Sequence, residues 1–277
     1  MRKGLLAFLL LAALVASFAP RADAWVGAQK DAKESKKAEK DGRDHDDYAE
    51  RDEFSRSFTL QPGAEVRVSS INGSVDVETH SGNTAEVHVV RSARTRGDLD
   101  YHKVIVEQTA SGLVVRGERT DDRDGRRDDH NVRQRVTLRL PRSVDFTANS
   151  VNGRTSVGEI DGPVRLSSIN GRVEIGQARG YTELSSINGS VVANVSQLGE
   201  RGIRISSVNG RVELRLGGAV NADLSVSSVN GAIETQLQNV VVQGEVNRST
   251  FNARIGAGGS PISVRSVNGA VRLTPRS

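Results

Sequence analysis

Leu166 to Val191 reads LSSINGRVEIGQARGYTELSSINGSV, one pattern stated twice. Ser167-Ser168-Ile169-Asn170-Gly171 returns after eighteen residues as Ser185-Ser186-Ile187-Asn188-Gly189. A tight turn asks only for Asn-Gly, so the Ser-Ser that precedes it needs a second reason. Working outward, the motif recurs at Asn72-Gly73, Asn152-Gly153, Asn209-Gly210, Asn230-Gly231 and Asn268-Gly269. A degenerate copy reads Ser249-Thr250-Phe251-Asn252-Ala253. From Asn152 onward the steps are 18, 18, 21, 21, 22 and 16 residues, a repeat architecture. Asn72 precedes Asn152 by 80 residues, about four such steps, and degenerate or differently arranged rungs are expected between them.

Within a unit, apolar residues stand six and four positions before the Asn: Val164 and Leu166, Ile203 and Ile205, Leu224 and Val226. After the turn they stand three and five positions on, as Val173 and Ile175 or Val212 and Leu214. The parity changes across Asn-Gly, so the chain turns there. The second Ser of the motif (Ser168, Ser207, Ser228) shares the parity of the apolar set and is expected to point inward. A second turn is expected after each unit, at Gly158 and Gly162, Gly176 and Gly180, Gly199 and Gly202, or Gly217 and Gly218.

Two all-β architectures fit. In an antiparallel hairpin meander, Asn-Gly is a favoured two-residue turn. In a β-solenoid-like stack of short strands, each unit is a coil and equivalent residues line up on parallel strands. The hairpin leaves Ser-Ser unexplained. The stack accounts for it, because inward Ser and corner Asn would form columns that hydrogen-bond along the axis as ladders. The stack is the expected fold, and the meander the alternative.

The run VTLRLPRSVDFTANSVNGRTSVGEIDGPVRLSSINGRVEI, Val136 to Ile175, resembles the bacterial "putative adhesin" family of β-strand-repeat domains. A strand, a Pro and then recurring (Ser/Thr)-x-Asn-Gly units carry the likeness, which covers roughly Phe54 to Arg276. The resemblance implies an exported, repetitive, non-catalytic domain whose function is largely unassigned, and it brings no agreed binding residues.

Residues 1–24 read as a signal peptide: Arg2 and Lys3, an apolar run from Gly4 to Phe18, then the small-x-small site Ala22-Asp23-Ala24. The apolar run is shorter than the about 20 residues a spanning helix needs, so no integral membrane span is expected after cleavage. Residues 25–53 are rich in Lys, Asp and Glu and read as a charged disordered tether. The β-repeat domain is then 54–277, with less regular strands over 54–140, a charged loop at 119–133, and regular repeats over 141–277. The 277 residues contain no Cys, which removes disulfides, thiol catalysis and a lipid-anchoring Cys. The net charge of +4 falls to +2 without the signal segment, so nucleic acid is not an expected partner.

Asp121, Asp122, Asp124, Asp128, Asp129 and His130 could offer oxygen ligands to a cation, but Arg123, Arg126 and Arg127 are interleaved with them and the spacing is that of a solvated loop. His45, His80, His88, His102 and His130 show no metal-binding spacing. Gly256-Ala257-Gly258-Gly259-Ser260 lacks the Lys and the helix of a phosphate loop. No cofactor, metal or catalytic residue is expected. The site residues that remain are the structural turns and ladder: Asn72, Gly73, Asn152, Gly153, Asn170, Gly171, Asn188, Gly189, Asn209, Gly210, Asn230, Gly231, Asn268 and Gly269. On the outside, Arg154, Arg172 and Arg211 follow equivalent turns and form a possible binding row. The expected task is adhesin-like binding or scaffolding in the bacterial cell envelope, periplasmic, at the cell surface or secreted, with envelope polysaccharide or another envelope protein as partner. The rival readings are a polysaccharide-active β-helix enzyme and an envelope-stress regulatory partner.

Overall fold

The computed structural model describes residues 48–119, 132–238, 240–243, 247 and 249–276. The signal segment, the tether as far as residue 47 and the core of the charged loop, 120–131, lie outside these residues.

The repeated motif folds into coils that each contribute one strand to each of two sheets. The first-sheet strands are β7 (Asp145–Asn152), β9 (Val164–Asn170), β11 (Thr182–Asn188), β13 (Ile203–Asn209), β15 (Ala222–Ser228) and β19 (Ser260–Asn268). Past the Asn-Gly corner come their second-sheet counterparts: β8 (Thr155–Ile160), β10 (Val173–Ala178), β12 (Val191–Val195), β14 (Val212–Leu216), β16 (Ile233–Thr235) and β20 (Val271–Pro275). Equivalent strands pair in parallel, with Asn152 aligned to Asn170, Asn170 to Asn188 and Asn188 to Asn209. The protein is therefore a parallel stack of coils, and the hairpin meander is excluded for the repeats, since its strands would run antiparallel.

The alternation in each strand decides what is inside. Val164, Leu166 and Ser168 of β9 are buried, as are Val173 and Ile175 of β10, and one continuous apolar core runs between the sheets. The inward Ser column holds: Ser150, Ser168, Ser186, Ser207, Ser266 and Ser228 are all 2–5% exposed.

Stacking order departs from chain order at one place. The last coil, β19 and β20, sits between the coil of Asn209 and that of Asn230: Asn209 aligns with Asn268, and Ser228 with Ser266. The degenerate unit at Asn252 is not a rung. It lies on β18 (Thr250–Ile255), which runs antiparallel to β15 and to β17 (Val240–Val242) and closes that end of the first sheet. Its motif carries Ala253 where every rung carries Gly, and Ala253 is buried against the core.

At the other end, β2 (Glu65–His80) crosses its Asn72-Gly73 corner without a break and belongs to both sheets. The 80-residue interval supplies a further rung without an Asn-Gly corner, one strand parallel to each half of β2 in the first and in the second sheet. It extends the first sheet by β5 (Gly112–Arg119) and β4 (His102–Gln108), an antiparallel pair. It extends the second sheet by β6 (Val132–Pro141) and β3 (Thr84–Ala93), also antiparallel to each other, and β1 (Glu50–Thr59) completes that edge. One short helix, α1 (Arg96–Tyr101), starts at a Thr95–Asp98 capping box. The strand β1 begins at Glu50, so residues 50–53, read from the sequence as tether, are strand. Their charges find partners across the pair: Asp52 with Arg91, and Glu53 with His88 at 3.0 Å.

Candidate functional site: the Asn-Gly corner and the arginine row

The corner is built from two columns. Asn152 Nδ2 donates to Asn72 Oδ1 at 2.9 Å, Asn170 to Asn152 at 3.0 Å, and Asn188 to Asn170 at 3.0 Å. The chain continues with Asn209 to Asn188 at 2.9 Å, Asn268 to Asn209 at 2.8 Å, and Asn230 to Asn268 at 3.0 Å. A carboxamide carries donor and acceptor on one carbon, so one amide plus one hydrogen bond spans the about 4.8 Å between rungs. A hydroxyl is too short for that. The Ser column accordingly makes no Ser–Ser ladder, against the expectation from the sequence. Ser186 and Ser228 donate to the carbonyls of Gly171 and Gly269, while the Oγ atoms of Ser168 and Ser207 are buried without a partner.

The Gly column has its own cause. A Cβ on Gly171 would stand 1.8 Å from the Gly153 carbonyl oxygen, and on Gly189 1.8 Å from that of Gly171. At Gly171 and Gly189 glycine is required by close backbone approach between rungs, and Gly153 adds a φ of 117° that favours glycine.

The residue after each Gly lies on the outer face of the second sheet. Thr155 N–H donates to Arg172 O, Val173 N–H to Ser190 O and Val191 N–H to Arg211 O, which sets the order Arg154, Arg172, Ser190, Arg211 along the stack. The three arginines thus share one column, with Ser190 separating the third from the second. All three are exposed. Arg154 and Arg172 both reach Glu174 at 3.2 Å, so one carboxylate sits between two guanidinium groups.

Sequence reasoning missed two features of this surface. Arg135 of β6 aligns with Ser74, and Val75 with Thr155, which puts Arg135 in the same column as Arg154 on the far side of Ser74. No Asn-Gly precedes Arg135, so the motif carried no signal for it. The motif's Ile/Val position forms an exposed apolar row: Val151, Ile169, Ile187, Val208, Val267 and Val229. Its outward parity was readable from the inward Ser beside it.

The other candidates are structural or lie outside the described residues. His80 closes a turn, accepting from Gly82 N–H at Nδ1 and meeting Thr84 O through Nε2. The glycine-rich stretch 256–259 is a loop, with Ser260 opening β19, and it is tied down by Asn221 and Asp223, which accept from Ala257 and Gly259 N–H. The acidic loop residues Asp121 to His130, and His45, are not among the described residues. Among the described residues no group of three or more His, Asp or Glu could hold a metal, and no helix is long and apolar enough to cross a membrane.

No family model and no curated protein matches the sequence. Solved structures do match in fold. A "putative cell adhesion protein" from Clostridium sporogenes superposes with a TM-score of 0.51 at 11% identity, covering 81% of this chain and 100% of that one. A "putative adhesin" from Bacteroides fragilis is 7% identical and covers 80% of this chain and 97% of that one, at a TM-score of 0.30. Another, from Parabacteroides merdae, is 10% identical with 81% and 96% covered, at a TM-score of 0.29. The chain shares its fold with the first of these, and the family resemblance read from the sequence holds at that level.

Proposed function

We propose that this is an exported, non-catalytic binding module of the bacterial envelope that holds an anionic polysaccharide along the arginine row. One observation carries the reading: the parallel register brings Arg154, Arg172 and Arg211 to one column of a rigid stack. Fixed guanidinium groups at rung intervals match a linear polymer with repeating carboxylates or sulfates, and Arg pairs with such groups in bidentate fashion. Affinity on an extended repeat surface is spread over several rungs.

The test is retention and cleavage measured together on purified envelope polysaccharides. Arg154→Ala, Arg172→Ala and Arg211→Ala should each weaken retention about two- to fivefold, the range of exposed ion pairs. Arg211→Ala should weigh most, because Glu174 already engages the other two. The triple variant should lose retention, and salt should weaken the wild type steeply. Cleavage products abolished by a single carboxylate substitution would overturn the reading in favour of an enzyme.

A further inference from the structure

The amide ladder has a direction. Every Asn donates toward the Asn72 end, and Asn72 spends its Oδ1 on Asn152. The Asn72 Nδ2 is therefore the donor end of an aligned chain of amide dipoles. Like the first N–H groups of a helix, such an end favours an anion.

An open groove of about 580 Å³ lies at this end, lined by Asn72, Ser74, Gln134 and the arginines Arg51, Arg133 and Arg135. None of the described residues that line it is a carboxylate. Arg51 is held by Glu53 at 2.9 Å, and the Arg133 guanidinium lies 4.0 Å from the Tyr48 ring centroid. Arg135 makes no ion pair among the described residues. Gln134, 6% exposed, accepts the Asn72 backbone N–H through Oε1 at 3.3 Å.

We propose that this groove binds an acidic sugar residue, and that it anchors the end of the polymer which then runs over Arg154, Arg172 and Arg211. The inference rests on the proposed function and adds the site and the ligand's chemistry. Guanidinium groups recognise the carboxylate. The amide of Asn72 and the hydroxyl of Ser74 both donate and accept, which suits sugar hydroxyls and not a bare anion. The volume falls in the range of about 300–1,000 Å³ typical of small-molecule sites. Arg135 and Arg154 flank Ser74 in one column, so groove and row are continuous.

The experiment is calorimetric titration of the full chain with tetragalacturonate, with its methyl ester and with inorganic phosphate. Wild type should bind the acid, fail to bind the ester, and bind phosphate at least tenfold more weakly. Arg135→Ala should weaken the acid about tenfold. Asn72→Asp keeps the acceptor for Asn152 but puts a negative charge in the groove, and it should abolish binding while the melting temperature stays close to wild type. Arg254→Ala, at the opposite end and paired with Asp223, should bind as wild type does. If Arg135→Ala and Asn72→Asp bind tetragalacturonate normally, or the wild type does not bind it, the groove assignment falls. Polymer retention that still depends on Arg154, Arg172 and Arg211 would then leave the row standing. Phosphate binding equal to that of the acid overturns the sugar assignment. Loss of tetragalacturonate in the groove variants, with polymer retention intact in the triple row variant, supports the groove and removes the row.

Discussion

The two ends of the Asn ladder are closed by the same device and differ in charge. At the Asn72 end, β2 is flanked in the first sheet by β5 and in the second by β6, and both sheets continue as antiparallel strands. At the Asn230 end, β15 meets the antiparallel β18, which in turn pairs antiparallel with β17, and the second sheet stops at the three-residue β16. The Asn ladder needs an Asn-Gly corner on each rung, so it ends at Asn72, one rung short of the parallel pairing of β2 with β5 and β6. Antiparallel strands make no such demand and can finish a sheet without offering another rung. The positions after Gly run Arg154, Arg172, Ser190, Arg211, Ala270, Ala232 from one end to the other. Basic residues thus gather toward the donor end of the ladder, and the acceptor end is neutral.

The comparison breaks most severely if the inserted coil is removed. A chain ending at Gly259 loses β19 and β20, which lie inside the stack although they are last in sequence. Ile262, Val264, Val271 and Leu273 are at most 1% exposed. Each buried side chain of this kind contributes about 1.5–3 kcal/mol, so together they approach the about 5–15 kcal/mol that holds a typical domain folded. The truncated chain should show no cooperative thermal transition by circular dichroism. A sharp melt near the wild-type temperature would mean that the Asn230 end stands without the insertion.

The insertion was not legible in the sequence, and the reason is physical. The coils of Asn230 and Asn268 carry apolar residues and a Ser at equivalent inward positions of the first sheet and the same Asn-Gly corner, so the sequence does not decide which of them fits against the coil of Asn209. Neighbours in sequence are usually neighbours in space, and this coil is an exception. What was legible is whatever repeats with the strand period: the turn at Asn-Gly, the inward Ser, the apolar pairs around Val164 and Val173, and the column of Arg154, Arg172 and Arg211. Pairings between unlike segments were not. Asn72 pairs directly with Asn152 although 80 residues of sequence separate them, and Arg135 lies on β6, which carries no Asn-Gly, so Arg135 and the groove beside it went unseen. Glu174, which engages two of the three arginines, belongs to no part of the repeated motif that marks a site.

A smaller effect separates the middle of the stack from its end. Gly189→Ala places a Cβ 1.8 Å from backbone oxygen in the middle of the ladder, where rungs on both sides hold the chain. It should cost about 3 kcal/mol, the upper part of the range for overpacking. Gly231→Ala meets Gly269 O at 2.1 Å, but no further Asn rung lies beyond it, so the chain can shift and the loss should be smaller. Gly218→Ala meets nothing within 4 Å and should be neutral or stabilising by up to about 1 kcal/mol. Urea melts of the three variants rank them. Equal losses at Gly189 and Gly231 would show that the ladder's end is as rigid as its middle.

The smallest effect concerns why the column is serine. Ser207 Oγ is buried with no partner, whereas Ser266 Oγ donates to Gly269 O at 3.2 Å. If the column exists to hydrogen-bond, both hydroxyls should matter. If it exists because the corner leaves room only for a small side chain, removing an unpartnered hydroxyl relieves a desolvation penalty. Ser207→Ala should then raise stability by about 1 kcal/mol, and Ser266→Ala should lower it by about the same amount, the net worth of one hydrogen bond. The two changes are chemically identical and lie on adjacent rungs, so the sign of their difference is insensitive to helix, turn or unfolded-state effects. A loss at Ser207 as large as that at Ser266 would mean that its hydroxyl is satisfied in solution. The Ser column would then be a polar network and not a steric one.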